Sequence, residues 1–194
     1  MYKGYTIQPY SPAAGTGLSS HELNQPGTYQ DVKDTTVVAQ FKTKPNEILP
    51  EDTYILAWTT TPWTLPSNTA LCVGPKIDYV LVKTFNQYTF KPMHIVLAKA
   101  LVGKQLSGKY IQADEENTLD GYSAENKKIP FEIVGEFVGT DLVGIQYEQL
   151  LPFAKPYYDA DKAFQVITGD FVTTEDGTGI VHIAPTFGAD DAQV

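Results

Sequence analysis

The chain contains no arginine: its 14 basic residues are all lysines, set against 23 acids, for a formal net charge of −9. The rigid bidentate fork that clamps phosphate or guanine is therefore missing. A general nucleic-acid binder neutralises phosphates, so strong autonomous RNA or DNA binding is excluded. Any RNA this chain handles has to be delivered by something else. The deficit is steepest at the C-terminal end, where residues 159–194 hold seven acids and one lysine, a net of −6. Cysteine is nearly absent as well: Cys72 stands alone, which excludes an internal disulfide and a cysteine metal cluster and reads as a buried strand thiol. No window approaches the roughly 18 consecutive apolar residues of a membrane span, and no basic-then-apolar signal opens the chain. A soluble, cytoplasmic, monomeric protein without a membrane partner is the expectation.

What is present supports a folded core. Hydrophobic residues make up 42% of the 194 and charged residues only 19%, with 12 Tyr and 9 Phe supplying large apolar areas. Short runs rich in Val, Ile, Tyr and Phe, bounded by Gly, Pro, Asn or Asp, predict strands. They lie at Val37–Phe41, Tyr54–Trp58, Asp78–Phe85, His94–Ala98, Phe131–Phe137, Phe164–Ile167 and Gly179–Ile183. Helical windows are few: one near Leu97–Leu106, and an opening at Ala189, where Gly188 precedes two acids suited to a first turn. The fold class expected is mixed α/β but strand-dominated, a β-barrel-like domain with a few short peripheral helices. Residues 1–30, with Pro9, Pro12, Gly15, Gly17, Pro26 and Gly27, read as an irregular lead-in to a domain over 31–194, and 112–128 as a solvated excursion.

Two segments stand out. In Trp58-Thr-Thr-Thr-Pro-Trp-Thr-Leu-Pro-Ser-Asn68, hydroxyls cluster where a strand ends, and two prolines stiffen the backbone that follows. Hydroxyls and freed backbone N–H groups at such a point can fix a polar ligand; a Thr-rich strand end with a stiff turn is the plainer alternative. In Glu175-Asp-Gly-Thr-Gly-Ile-Val-His-Ile-Ala-Pro-Thr-Phe-Gly-Ala-Asp-Asp191, a glycine turn enters a strand bearing His182, and a Pro/Gly turn then presents two carboxylates. His182 reads either as a packed core residue or as a functional one, and the Asp pair either as a helix cap or as a ligand anchor. A metal site is disfavoured, because His21 and His94 lie far off in sequence.

Together these strings resemble the editing domain of isoleucyl-tRNA synthetase, the connective polypeptide insertion of that class I family. The resemblance rests on Thr59 to Asn68 and on Gly177 to Asp191, and extends to Gly139–Phe153 and the lead-in, so it spans nearly the whole chain. Related valyl and leucyl domains typically carry Thr-Thr-Arg-Pro near the threonine run, and the lack of arginine fits the isoleucyl branch. Phe187 departs from the histidine of many bacterial members. The His-Ile-Gly-His and Lys-Met-Ser-Lys-Ser signatures of amino-acid activation are missing, so the chain reads as a fragment without synthetic activity.

The resemblance implies a hydrolase that clears valine from mischarged tRNA(Ile), and in some cases valyl-adenylate. Its partners would be the 3′ end of that tRNA and the remainder of the synthetase. A non-catalytic module binding the aminoacyl-tRNA 3′ end is the alternative. Carried over residue by residue, Asp191 matches the aspartate that pairs with the substrate's α-ammonium and orients catalysis. His182 matches the side-chain discriminator, and Thr59, Thr60, Thr61 and Trp63 match the loop that holds adenosine and ester. No metal and no cofactor are implied, and the ribose's free hydroxyl is allowed to help orient the attacking water.

Overall fold

The computed structural model describes residues 8–188 except 31, 32 and 34, together with 191 and 192. Its described residues divide into two units, one up to Thr35 and one from Thr36. The first holds a small hairpin, β1 (Tyr10–Ser11) with β2 (Thr16–Gly17), and a single helical turn, α1 (Ser20–Leu23). Ser19 and Glu22 cap that turn reciprocally: the Ser19 N–H donates to the Glu22 carboxylate at 2.7 Å, and the Glu22 N–H donates to Ser19 Oγ at 3.3 Å. The segment expected to be irregular thus carries local order of its own.

The second unit is built from β3 (Val37–Lys42), β4 (Thr53–Thr59), β5 (Ala70–Val73), β6 (Asp78–Phe85), β7 (Pro92–Ala98), β8 (Tyr110–Gln112), β9 (Ile129–Val138), β10 (Gln165–Thr168) and β11 (Ile180–Ile183). Among the described residues of this unit, helix is confined to α2 (Val102–Gln105) and three 3₁₀ turns, at Pro62–Ser67, Lys99–Leu101 and Gly139–Leu142. This is the expected strand-dominated class with few short helices. The sheets remain open among the described residues, so the expected barrel is not closed. One sheet has the order β3-β4-β7-β6-β9-β8 and the other β10-β5-β11. The strand expected at Asp78–Phe85 has those bounds. The helical window near Leu97 shrinks to a 3₁₀ turn and one α turn, because Leu97 and Ala98 complete β7 against β6. The opening expected at Ala189 lies outside the described residues.

The core sits between the two sheets. Ile55, Ala57, Leu81, Val96 and Ala98 of the large sheet share one buried cluster with Leu71, Val73, Val166 and Ile180 of the small one. A second cluster, Leu56, Val80, Val82, Ile95, Leu97 and Phe131, lies on the opposite face of the large sheet beneath Val102 and Leu106. Strand β5 is buried at all four residues, as expected of a central strand covered on both faces. Cys72 lies in it, where burial raises its thiol pKa to about 11, as befits an unreactive core thiol. Among the described residues no helix is long and apolar enough to cross a membrane.

Candidate functional site

Strand β11 positions the second motif. Its entry needs glycine: Gly179 has φ of +71°, and a Cβ there would stand 2.4 Å from the Cβ of Ala98. Tyr79 fixes this entry, its hydroxyl donating to the Gly179 carbonyl at 2.7 Å while accepting the Gly74 N–H at 2.9 Å. The preceding turn is held by α2, with Gln105 Nε2 donating to the Gly177 carbonyl at 2.6 Å and Lys104 paired with Asp176. β11 then runs antiparallel to β5, with His182 opposite Leu71.

That pairing carries His182 against the first motif. β4 ends at Thr59, and the 3₁₀ turn Pro62–Ser67 follows with Pro at its start. Trp58, Thr59, Thr60, Thr61, Trp63, Thr64, Val181, His182, Ala184, Phe187 and Asp191 line one open cleft of about 400 Å³. All six sequence-predicted residues, Thr59, Thr60, Thr61, Trp63, His182 and Asp191, converge there.

The cleft wall is polar and ordered. Thr59 Oγ1 accepts the Thr61 N–H at 3.0 Å and lies 3.3 Å from Thr61 Oγ1, which in turn lies 3.4 Å from Thr64 Oγ1. Thr64 Oγ1 donates to the Thr61 carbonyl at 2.8 Å and sits 3.0 Å from His182 Nε2. Thr59 and Thr64 are buried, whereas Thr60, Thr61 and Trp63 are exposed. His182 is itself 7% exposed, and its Nδ1 has no protein partner among the described residues. Burial lowers its pKa below the ordinary histidine value, against a smaller opposing pull from the Asp191 carboxylate. The ring is thus a neutral wall at physiological pH. His182 is thus packed into the core and at the same time lines the cleft.

Asp191 is half-buried, and its Oδ2 accepts the Ala184 N–H at 2.9 Å. The turn between them is closed by Phe187 N–H to the Ala184 carbonyl at 2.9 Å and Ala192 N–H to the Gly188 carbonyl at 3.2 Å. Gly188 permits the approach, since a Cβ there would lie 2.9 Å from the Asp191 carboxyl carbon. One carboxylate oxygen is therefore tethered to the backbone and the other makes no hydrogen bond within the described residues. No group of three or more potential ligands for a metal occurs among the described residues. Sequence reasoning missed Thr64, although its place three residues after Thr61 on a 3₁₀ turn, where i and i+3 eclipse, was a usable signal. It also missed Phe187 as a cleft residue, and that side chain, 56% exposed, had no local signal beyond its departure from a familiar pattern.

No known family model matches the chain. Curated relatives do. The isoleucine–tRNA ligase of Cytophaga hutchinsonii is 66% identical over 194 residues, covering 100% of this chain and 17% of the relative. That of Bacteroides fragilis is 64% identical over 197 residues, again 100% and 17%. That of Clostridium tetani is 47% identical over 191 residues, 98% and 15%. The chain spans about one-sixth of the length of these relatives. Among solved structures, the crystal structure of GlLeuRS-CP1 superposes with a TM-score of 0.55 at 18% identity, over 82% of this chain and 58% of that one. A P. falciparum cytosolic leucyl-tRNA synthetase editing domain with deletions of insertions 1 and 3 gives a TM-score of 0.51 at 16% identity, over 72% and 43%. At these identities the likeness establishes the fold.

Proposed function

We propose that this chain, which matches isoleucine–tRNA ligases along its whole length and shares the fold of a leucyl-tRNA synthetase editing domain, is the editing domain of such a synthetase and hydrolyses valine from mischarged tRNA(Ile) while sparing isoleucine. The need for such a step is physical. One methylene in an apolar pocket is worth only about 1–3 kcal/mol, so a synthetic site cannot reject the smaller amino acid by binding alone. A second pocket that excludes by size removes the error.

The observation that carries the reading is the convergence of two motifs, more than a hundred residues apart, on one cleft holding a tethered carboxylate, a neutral imidazole and a row of hydroxyls. In this reading the untethered oxygen of Asp191 pairs with the α-ammonium of the ester, which places the carbonyl carbon in the cleft. Thr60, whose hydroxyl has no protein partner among the described residues, and Thr61 receive the terminal ribose, with Trp63 against the adenosine. Water adds to the carbonyl, the bond to the ribose oxygen breaks, and valine and a free 3′ end leave. Orientation supplies much of the rate, with the ribose's neighbouring hydroxyl helping to orient the water. The His182 ring occupies the space that the extra methyl of isoleucine would need. The tRNA would be delivered by the rest of a longer synthetase, in keeping with the lysine-only composition and net charge of −9.

Incubation with valyl-tRNA(Ile) and isoleucyl-tRNA(Ile), and with the corresponding adenosine esters, tests this directly. Release of valine ahead of isoleucine is the expected result. Saturable binding of both esters without turnover would instead identify a 3′-end binding module.

A further inference from the structure

A threonine hydroxyl has one proton to give, and that of Thr64 has two close partners: the Thr61 carbonyl at 2.8 Å and His182 Nε2 at 3.0 Å. The carbonyl can only accept, so the Thr64 proton goes there and the imidazole must supply the N–H to Thr64 Oγ1. The reverse assignment would set two oxygen lone pairs against each other 2.8 Å apart beside a side chain only 5% exposed. The neighbouring hydroxyls agree with this direction: Thr59 can donate to Thr61 and Thr61 to Thr64, so one ordered chain ends on the Thr61 carbonyl. On the other side of the ring, Nδ1 is buried with no protein partner among the described residues. Among the described residues nothing polar holds the imidazole from that side.

We propose that Thr64 is the positioning residue of the sieve: its hydroxyl fixes His182 as the Nε2–H tautomer in one ring orientation, and the rigidity of that wall sets the selectivity for valine over isoleucine. The selectivity part rests on the function proposed above; the tautomer does not.

Thr64→Val isolates the hydroxyl. It is nearly isosteric, and the 3₁₀ turn keeps its backbone bond from the Thr64 N–H to the Thr61 carbonyl at 3.0 Å. Thr64→Ser restores the hydroxyl. Nitrogen NMR of the His182 ring in this chain should show a single Nε2–H tautomer in the parent and in Thr64→Ser, and a mixture of tautomers in Thr64→Val. The ratio of isoleucyl- to valyl-ester hydrolysis should rise about tenfold in Thr64→Val, the rate equivalent of one lost hydrogen bond, and stay within about twofold in Thr64→Ser. A Thr64→Val protein that keeps the parent's tautomer and ratio overturns the proposal, as does parallel loss of both activities in a protein that still folds. If the parent hydrolyses neither ester, the hydrolase reading and its sieve fail together, while the NMR signal alone decides whether Thr64 positions the ring.

Discussion

Replacing Asp191 by asparagine removes a negative charge while leaving the local scaffold in place. The asparagine amide oxygen can still accept the Ala184 N–H that Asp191 Oδ2 now accepts at 2.9 Å, and the turn through Phe187 and Gly188 keeps its backbone bonds. What disappears is the charge-assisted contact to the substrate's ammonium. Contacts of this kind in a partly desolvated site contribute about 2–4 kcal/mol, which corresponds to a fall of roughly 30- to 1000-fold in kcat/KM for the valyl ester. The melting temperature should stay within about 2 °C, since the tether survives. Asp191→Ala loses the tether too, and should show the same kinetic defect plus about 1 kcal/mol of destabilisation from the unpaired Ala184 N–H. Deacylation measured under single-turnover conditions, beside a melting curve for each variant, reads both quantities. Equal kcat/KM for Asp191→Asn and the parent would refute the ammonium-anchor role and leave Asp191 as a turn clamp.

Removal of the ring in His182→Ala should open the cleft selectively, so that isoleucyl esters begin to be hydrolysed while the valyl rate changes less, with a stability cost of about 1–3 kcal/mol for the vacated volume; a variant that still spares isoleucine at full valine activity contradicts the discriminator role. Burial lowers the pKa of both His182 and His94 in the folded protein, so the unfolded chain takes up protons first on acidification: their contribution to stability is complete above roughly pH 6.5 and is lost as the pH falls below it. Melting curves from pH 8 to 5 should therefore drop on the acid side, and less steeply in a His182→Gln, His94→Gln double variant; an equal drop in both would sink this account. Gly179→Ala sets a Cβ 2.4 Å from that of Ala98 at φ of +71°, and overpacking plus the left-handed backbone should cost about 2–5 kcal/mol, or on the order of 5–15 °C in Tm; an unchanged melting temperature would show that the β11 entry is not so constrained.

Local chemistry was legible because it depends on neighbours in the chain. Short runs rich in Val, Ile, Tyr and Phe, bounded by turn residues, marked β3, β4, β6, β7, β9, β10 and β11 to within a few residues, since extended backbone favours β-branched and aromatic side chains. The threonine run with its two prolines, and the glycine turn before Ile180, likewise announced a strand end and a strand start. β5 was not legible. Its four residues, Ala70-Leu-Cys-Val73, hold a single β-branched side chain and no aromatic, so the enrichment that marks the other strands is missing, and so short an apolar run carries no period of its own. Yet β5 is the strand that decides the site: it pairs in parallel with β10 and antiparallel with β11, and so sets His182 beside Thr64, 118 residues away in the chain. The tautomer of His182, the tether on Asp191 and the place of Phe187 at the cleft were equally out of reach. Each depends on which atoms meet across that seam, and hydrogen-bond partnership between distant segments is fixed by strand register, which one sequence does not encode in any local pattern.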